Sequence, residues 1–271
     1  MIFLGDYLEL MKSLEDESID LVLTDPPFGV NYQSMYRTSE HSRQKEKIVN
    51  DDRDFGYAEL ANEAWRLLKP GSAFFAFTGW SRYPWHFQNV EQAGFKMRQP
   101  LICQKRAGSA SPGSFQSNCD WIIFAVKGGF QFETTTLVRN RYAGQQTRYY
   151  NSRGETVERE PTPYFKRVFP SAWFGPEYPC SSENPATLTA LGEEHPTVKS
   201  VTFLEWIIQL CSKEGAVVLD PFCGTGTTAL AALNTGRRFI VGDIYPDYYS
   251  RTKENVRARM VELGYEEKDI P

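Results

Sequence analysis

Hydrophobic and polar positions fall in blocks along this chain, and the period changes from block to block. Ile2-Phe3-Leu4 is a short apolar run, and Tyr7 to Leu14 repeats apolar residues at helical spacing. Asp20-Leu21-Val22-Leu23-Thr24 predicts a compact strand, stopped by Asp25-Pro26-Pro27. Tyr57 to Leu68 predicts an amphipathic helix ended by Lys69-Pro70-Gly71, and Ala73 to Phe77 a buried strand. Leu101-Ile102-Cys103 and Trp121 to Val126 predict two more strands, the second closed by Gly128-Gly129. Later come a helix carried by Val201, Leu204, Ile207, Ile208 and Cys211, a strand Ala216 to Leu219 and a helix Thr227 to Leu233. A strand Phe239 to Val241 and a last helix from Pro246 complete the series. Alternating strands and helices predict an α/β fold with a mainly parallel, doubly wound sheet.

Two stretches break the pattern. Residues 33–55 are polar, without a sustained period, and read as a loop. From Phe130 to about His195 the chain is rich in Pro, Arg and Tyr, which predicts a small insertion. The division is therefore 1–129, an inserted region 130–194, and 195–271, the outer two being halves of one domain.

Composition narrows this picture only in places. At 271 residues the chain suits one large α/β domain with an insertion, and no run approaches the ~18 apolar residues of a membrane span. The start lacks a basic segment, so a secretory signal is not expected. The five cysteines are scattered with no C-x-x-C pair, and the three histidines lie far apart. Reduced thiols, a cytoplasmic location and no metal site are the expectation. The net charge of −4 hides an asymmetry: Lys96 to Arg167 holds 12 Lys and Arg against 5 Asp and Glu, leaving −11 for the remainder. A basic binding region on an acidic body and a solvated polar insertion both fit that distribution.

Two motifs carry chemistry. In the second half, a strand runs into Asp220-Pro221-Phe222-Cys223-Gly224-Thr225-Gly226-Thr227-Thr228 and then a helix. Such a turn lets a ligand approach the backbone at a helix N-terminus. Asp243 ends the next strand, 17 residues after Gly226, placed to accept hydrogen bonds from ribose hydroxyls. Gly-x-Gly alone also describes a plain tight turn; the full strand, turn, helix, strand and acid pattern is more specific. The turn lacks Lys and Arg, and Asp220 repels a diphosphate, so a cofactor bearing an amino group and a sulfonium suits it better.

The other motif is Thr24-Asp25-Pro26-Pro27-Phe28-Gly29, directly after a hydrophobic strand. An amino group on an aromatic ring is a poor nucleophile, because its lone pair is delocalised. The Asp25 carboxylate and the Pro26 carbonyl can each accept one N–H, aiming the nitrogen lone pair at a methyl donor. Phe28 offers a stacking face worth roughly 1–3 kcal/mol, and the prolines stiffen the turn. A strand-terminating Pro-Pro turn with a packed Phe is the plainer alternative.

These blocks together resemble the beta-class amino-methyltransferases of DNA, the N6-adenine and N4-cytosine enzymes. The resemblance is carried by Gly5-Asp6 with Asp20 to Phe28, Leu67-Leu68-Lys69-Pro70-Gly71, His195-Pro196-Thr197-Val198-Lys199, Asp220 to Thr228, and Gly236 to Asp243 with Pro246 and Tyr248. It implies a Rossmann-like methyltransferase sheet with an antiparallel edge hairpin, and S-adenosylmethionine as cofactor. Residues 1–129 would be the catalytic half, 130–194 the target-recognition insertion and 195–271 the cofactor half. Asp25, Pro26, Pro27 and Phe28 would form the base pocket. Asp220, Phe222, Gly224 and Gly226 would surround the methionine part of the cofactor, with Asp25 beside them. Asp243 would hold the ribose, Asp6 would lie near the adenine end, and Thr197 and Lys199 would approach the cofactor carboxylate. Asp rather than Ser at position 25 points to adenine; Phe28 stands where Tyr is commoner, and Ser200 replaces a Pro.

A duplex hides the amino group, so the target in double-stranded DNA must be flipped out. Arg37, Arg43 and Lys45 in the polar loop, with His41 and Lys47, are placed to touch phosphates. In the insertion Arg139, Arg141, Arg148, Arg153, Lys166 and Arg167 alternate with tyrosines, a texture suited to DNA. A cognate restriction endonuclease and a homodimer are partners seen in the class. N4-cytosine methylation, an RNA substrate and a catalytically silent DNA-binding subunit stay open as alternatives.

Overall fold

A computed structural model describes residues 1–29, 56–103, 113, 115, 119–133 and 199–266, with the backbone alone of 104–109, of 117–118 and of five short strands between 137 and 173. The elements run β1 (Ile2–Leu4), α1 (Tyr7–Lys12), β2 (Ile19–Thr24), α2 (Tyr57–Leu67), β3 (Leu68–Thr78), α3 (Tyr83–Gln92), β4 (Lys96–Met97), β5 (Leu101–Ser109) and β6 (Ser117–Val126). The short strands are β7 (Leu137–Arg139), β8 (Thr147–Tyr150), β9 (Thr156–Arg159), β10 (Tyr164–Lys166) and β11 (Ala172–Trp173). Then follow α4 (Val201–Cys211), β12 (Val217–Asp220), α5 (Thr227–Asn234), β13 (Arg238–Asp243) and α6 (Pro246–Glu262).

The main sheet has the order β1-β13-β12-β2-β3-β6-β5-β11, with β4 also paired to β6. From β1 to β3 every pairing is parallel, whereas β6 is antiparallel to both β3 and β5. The expected antiparallel hairpin is thus present, and β11 lies outside it, parallel to β5. The remaining short strands form two antiparallel ladders, β7 with β10 and β8 with β9.

Strand alternation explains the two cores. Val22, Phe74, Ala76, Ile123 and Ala125 face α1, α2 and α3. Their neighbours Leu21, Leu23, Ala73, Phe75, Phe77 and Ile122 face α4 and α5. The third cluster joins α5, α6 and β13 through Ala229, Leu233, Val241, Val256 and Met260. In α2 the buried residues Tyr57, Leu60, Ala61, Ala64 and Leu67 follow the helical repeat read from the sequence. Each large side chain buried contributes about 1.5–3 kcal/mol, against ~0–1 kcal/mol for a surface ion pair such as Arg259–Glu262. The cores, then, hold the fold.

Polar stitches fix its details. The β2–β3 register shifts between Ile19 and Leu21, and Asp20 serves both neighbouring strands there. Its carboxylate takes the Lys69 ammonium at 2.7 Å and the Val217 N–H at 2.8 Å. Arg66 donates to the Met11 and Leu14 carbonyls, tying α2 to the carbonyl end of α1. His86 lies buried between Thr78, 2.6 Å from its Nδ1, and the stacked Tyr57 ring. Burial pushes its pKa down to about 3, so it is a neutral core residue. Cys119, Cys211 and Cys223 are free thiols. No described helix is long and apolar enough to cross a membrane.

Candidate active site at the switch point of the sheet

From β2 the chain crosses through α2 to β3 on one side, and from β12 it crosses through α5 to β13 on the other. The adjacent strands β2 and β12 therefore flank the topological switch point, where α/β folds open a crevice at the strands' carboxyl ends. Both sequence motifs end there: Thr24-Asp25-Pro26-Pro27-Phe28 leaves β2, and Asp220 to Gly226 leaves β12.

A direct bond joins them. The Thr24 hydroxyl donates to Asp220 Oδ1 at 2.8 Å, linking residues 196 apart in sequence. Asp220 Oδ1 also accepts the Phe222 N–H at 3.1 Å, and Oδ2 accepts the Thr228 hydroxyl at 2.6 Å. Asp220 is only 3% exposed. Burial pushes its pKa up to about 6 against these hydrogen bonds, and the nearby Asp25 charge adds to the rise.

The glycine loop is braced from behind by α6 and from the side by β13. Thr252 donates to the Gly224 carbonyl at 2.8 Å, and Asn255 to the Thr225 carbonyl at 2.9 Å. Asp243 accepts the Gly224 N–H at 3.0 Å and the Tyr245 N–H at 2.9 Å. Its burial also pushes its pKa up to about 6. Gly224 and Gly226 have φ of 53° and 88°, and a Cβ on Gly226 would lie 2.8 Å from Thr252. The site therefore requires glycine at 226. Beside the loop the Gly5 N–H bonds the Asp243 carbonyl, and Tyr7 packs on Phe222 with ring centroids 5.0 Å apart. Asp6 caps α1, accepting the Leu8 N–H at 2.8 Å.

On the β2 side Pro26 and Gly29 are buried and Asp25, Pro27 and Phe28 partly so. Phe28 packs on the core beneath α4, and Arg82, ahead of α3, donates to the Gly29 carbonyl. The Asp25 carboxylate meets the Lys199 ammonium at 2.7 Å. Lys199 also lies 3.9 Å from Asp120 and 4.8 Å from the centre of the Phe77 ring.

This geometry gathers Asp6, Asp25 to Phe28, Lys199, Asp220, Phe222, Gly224, Gly226 and Asp243 at one end of the sheet. The profile of the N6/N4 methyltransferases, described as DNA methylase, matches residues 19–254, well over half of the chain. The chain belongs to this DNA methylase family. Among its relatives is the DNA adenine methyltransferase YhdJ of Escherichia coli (strain K12), 26% identical over 250 residues, 90% of this chain and 78% of that one. The M1.HpyAVI–S-adenosylmethionine complex shares the fold at a TM-score of 0.60 and 20% identity, covering 94% and 98% of the two chains. The PvuII DNA methyltransferase, cytosine-N4-specific, does so at 0.62 and 18%, covering 99% and 89%.

Other expected site residues lie outside what the structure describes: Arg37, Arg43, Lys45, Arg141, Arg153, Arg167 and Thr197. For Arg139, Arg148 and Lys166 the description stops at the backbone of β7, β8 and β10. Among the site residues without a role in the sequence analysis are Asp120 on β6, Phe77 on β3, Thr24 at the end of β2, Thr228 at the start of α5, and Thr252 and Asn255 on α6. Asp120 did leave a signal, as a carboxylate opening the apolar run Trp121 to Val126.

Proposed function

We propose that this DNA methylase transfers a methyl group from S-adenosylmethionine to N6 of adenine, at a base turned out of the duplex. One observation carries the reading: the Asp25-Pro26-Pro27-Phe28 turn and the glycine loop share the switch-point crevice and are tied by the Thr24–Asp220 bond.

The residues fit that cofactor. One carboxylate, Asp220, opens the glycine loop and another, Asp243, lies against its Gly224, and the loop has no Lys or Arg to hold a phosphate. A carboxylate offers about four acceptor positions, so Asp243 can bind ribose hydroxyls while keeping its two backbone donors. Asp220, Phe222, Gly224 and Gly226 hold the methionine side, and Asp6 closes the far end. When bound, S-adenosylmethionine would supply an electrophilic methyl carbon to the amino nitrogen and leave as the neutral thioether, and the proton that the nitrogen sheds would pass by way of Asp25 to water. Asp25 and the Pro26 carbonyl accept the two N–H groups, localise the lone pair and fix its direction. Phe28 stacks on the base. The basic residues of the 130–194 insertion and of the loop after Phe28 bind DNA.

Asp at position 25 and the adenine-specific relative support N6 of adenine. N4 of cytosine is the second reading, favoured by the shared fold of the PvuII enzyme. Single-molecule sequencing of DNA from a methylation-free host expressing the chain, beside Asp25→Ala, tests both. N6-methyladenine at one short motif, absent with Asp25→Ala, is the expected result. N4-methylcytosine establishes the second reading, and unmodified DNA from a folded protein overturns both.

A further inference from the structure

Lys199 was expected at the cofactor carboxylate, but its ammonium lies 2.7 Å from Asp25, the group that must receive the substrate's N–H. The side chains of Lys199 and Asp120 are 10% and 8% exposed and that of Asp25 22%, so the three charges meet in a largely water-free pocket. An ammonium left without an acceptor there is costly. While Lys199 occupies Asp25 Oδ2, that oxygen serves the amino group poorly, because a cation beside it drains its acceptor strength. The nitrogen gains positive charge as it is methylated, so the cation is also badly placed for the transition state.

The pocket offers a way out. Asp120 Oδ2 is 3.9 Å from the same ammonium, a distance that one rotation of the flexible lysine stem closes. The Phe77 ring lies 4.8 Å from the cation where it stands. Asp120 is fixed by the β5–β6 ladder, where it pairs with Cys103, two strands away from β2. It can therefore receive Lys199 without moving.

We infer that Asp120 and Lys199 form a positioning pair: Lys199 holds Asp25 before the base arrives, then passes to Asp120 as the base enters and Asp25 takes its amino group. The inference rests on the methylation reading above. Asp120 acts through Lys199 and Asp25 and touches no reacting atom.

The test is single-turnover methylation of a DNA duplex carrying the sequenced motif, with S-adenosylmethionine saturating. Cofactor affinity without DNA is measured separately by calorimetry. Asp120→Asn keeps the shape but removes the charge that draws Lys199 away. Its methylation rate should fall by about 10- to 100-fold, with cofactor affinity and DNA affinity within about threefold of wild type, and Asp120→Glu should recover most of the rate. A structural role alone would lower melting temperature and binding together, without rescue by Glu. Should Asp120→Asn fail to fold, Lys199→Arg carries the same test. A guanidinium reaches both carboxylates at once and does not leave Asp25, so a folded, cofactor-binding Lys199→Arg enzyme should be slow. Wild-type rates in Asp120→Asn, or in Lys199→Arg, overturn the inference and leave the methylation reading intact. A wild-type chain that transfers no methyl group to DNA overturns both.

Discussion

At the scale of single residues, the site depends on carboxylates in three different settings. Asp25 stands at the crevice, and Asp25→Ala should abolish methylation while calorimetry shows cofactor binding largely retained; lost cofactor binding would move Asp25 out of its catalytic role. In the proposed role Asp243 accepts ribose hydroxyls, more strongly as the carboxylate than as the acid, yet burial pushes its pKa up to about 6. Cofactor binding prefers the charged form, so affinity should fall as pH drops through that value, by roughly tenfold between pH 7 and 5. Calorimetry across that range checks this, and a flat profile contradicts the assignment. Asp220 gives three of its acceptor positions to Thr24, Thr228 and the Phe222 N–H. Asp25, Asp220 and Asp243 were all legible as candidates, because each follows a hydrophobic strand. The hydroxyls that surround Asp220 were not, since one of them lies 196 residues away.

At the scale of elements, the glycine loop is a strand-to-helix turn whose shape α6 enforces. Gly226→Ala introduces a Cβ at φ 88° and 2.8 Å from Thr252, so it should cost about 1–3 kcal/mol of stability and weaken cofactor binding. Adding Thr252→Ala should recover part of the loss, the clash but not the backbone strain, and chemical denaturation measures both. Thr228→Val removes a donor to a buried carboxylate, at a cost of about 1.5–3 kcal/mol above pH 7. The sign follows from the raised pKa of Asp220: the loss of the hydroxyl raises it further and penalises only the ionised form. The cost should shrink as pH falls from 8 to 5, and an equal cost at both ends would show that the hydroxyl does not serve the charge. Helices α2, α4 and α5 were readable from their apolar periods. Helix α3 leaves little trace in the sequence, since its buried positions are only His86 and Val90. Strand β4 leaves none, because two residues carry no period at all.

At the scale of the whole molecule, a chain of net charge −4 is proposed to bind a polyanion through one basic region. Its DNA affinity should fall steeply with salt. Arg148→Gln should weaken binding uniformly across sequences and reduce the slope of log affinity against log salt by about 0.9. An unchanged slope in a fluorescence titration would remove Arg148 from the contact.

Sequence alone determined the class of fold and the two motifs, because strand and helix periods and the turn residues Pro and Gly act over a few neighbours. It also placed Asp25 and Asp220 at strand ends, where α/β ligands bind. Only the tertiary structure decided that those two ends are adjacent, since β2 and β12 pair across nearly 200 residues of chain. It alone set Lys199 between Asp25 and Asp120, three residues from three distant parts of the chain. Local patterns specify which face of a strand is apolar. The order of strands in the sheet, and with it the company each charge keeps, is fixed by how all the faces bury one another at once.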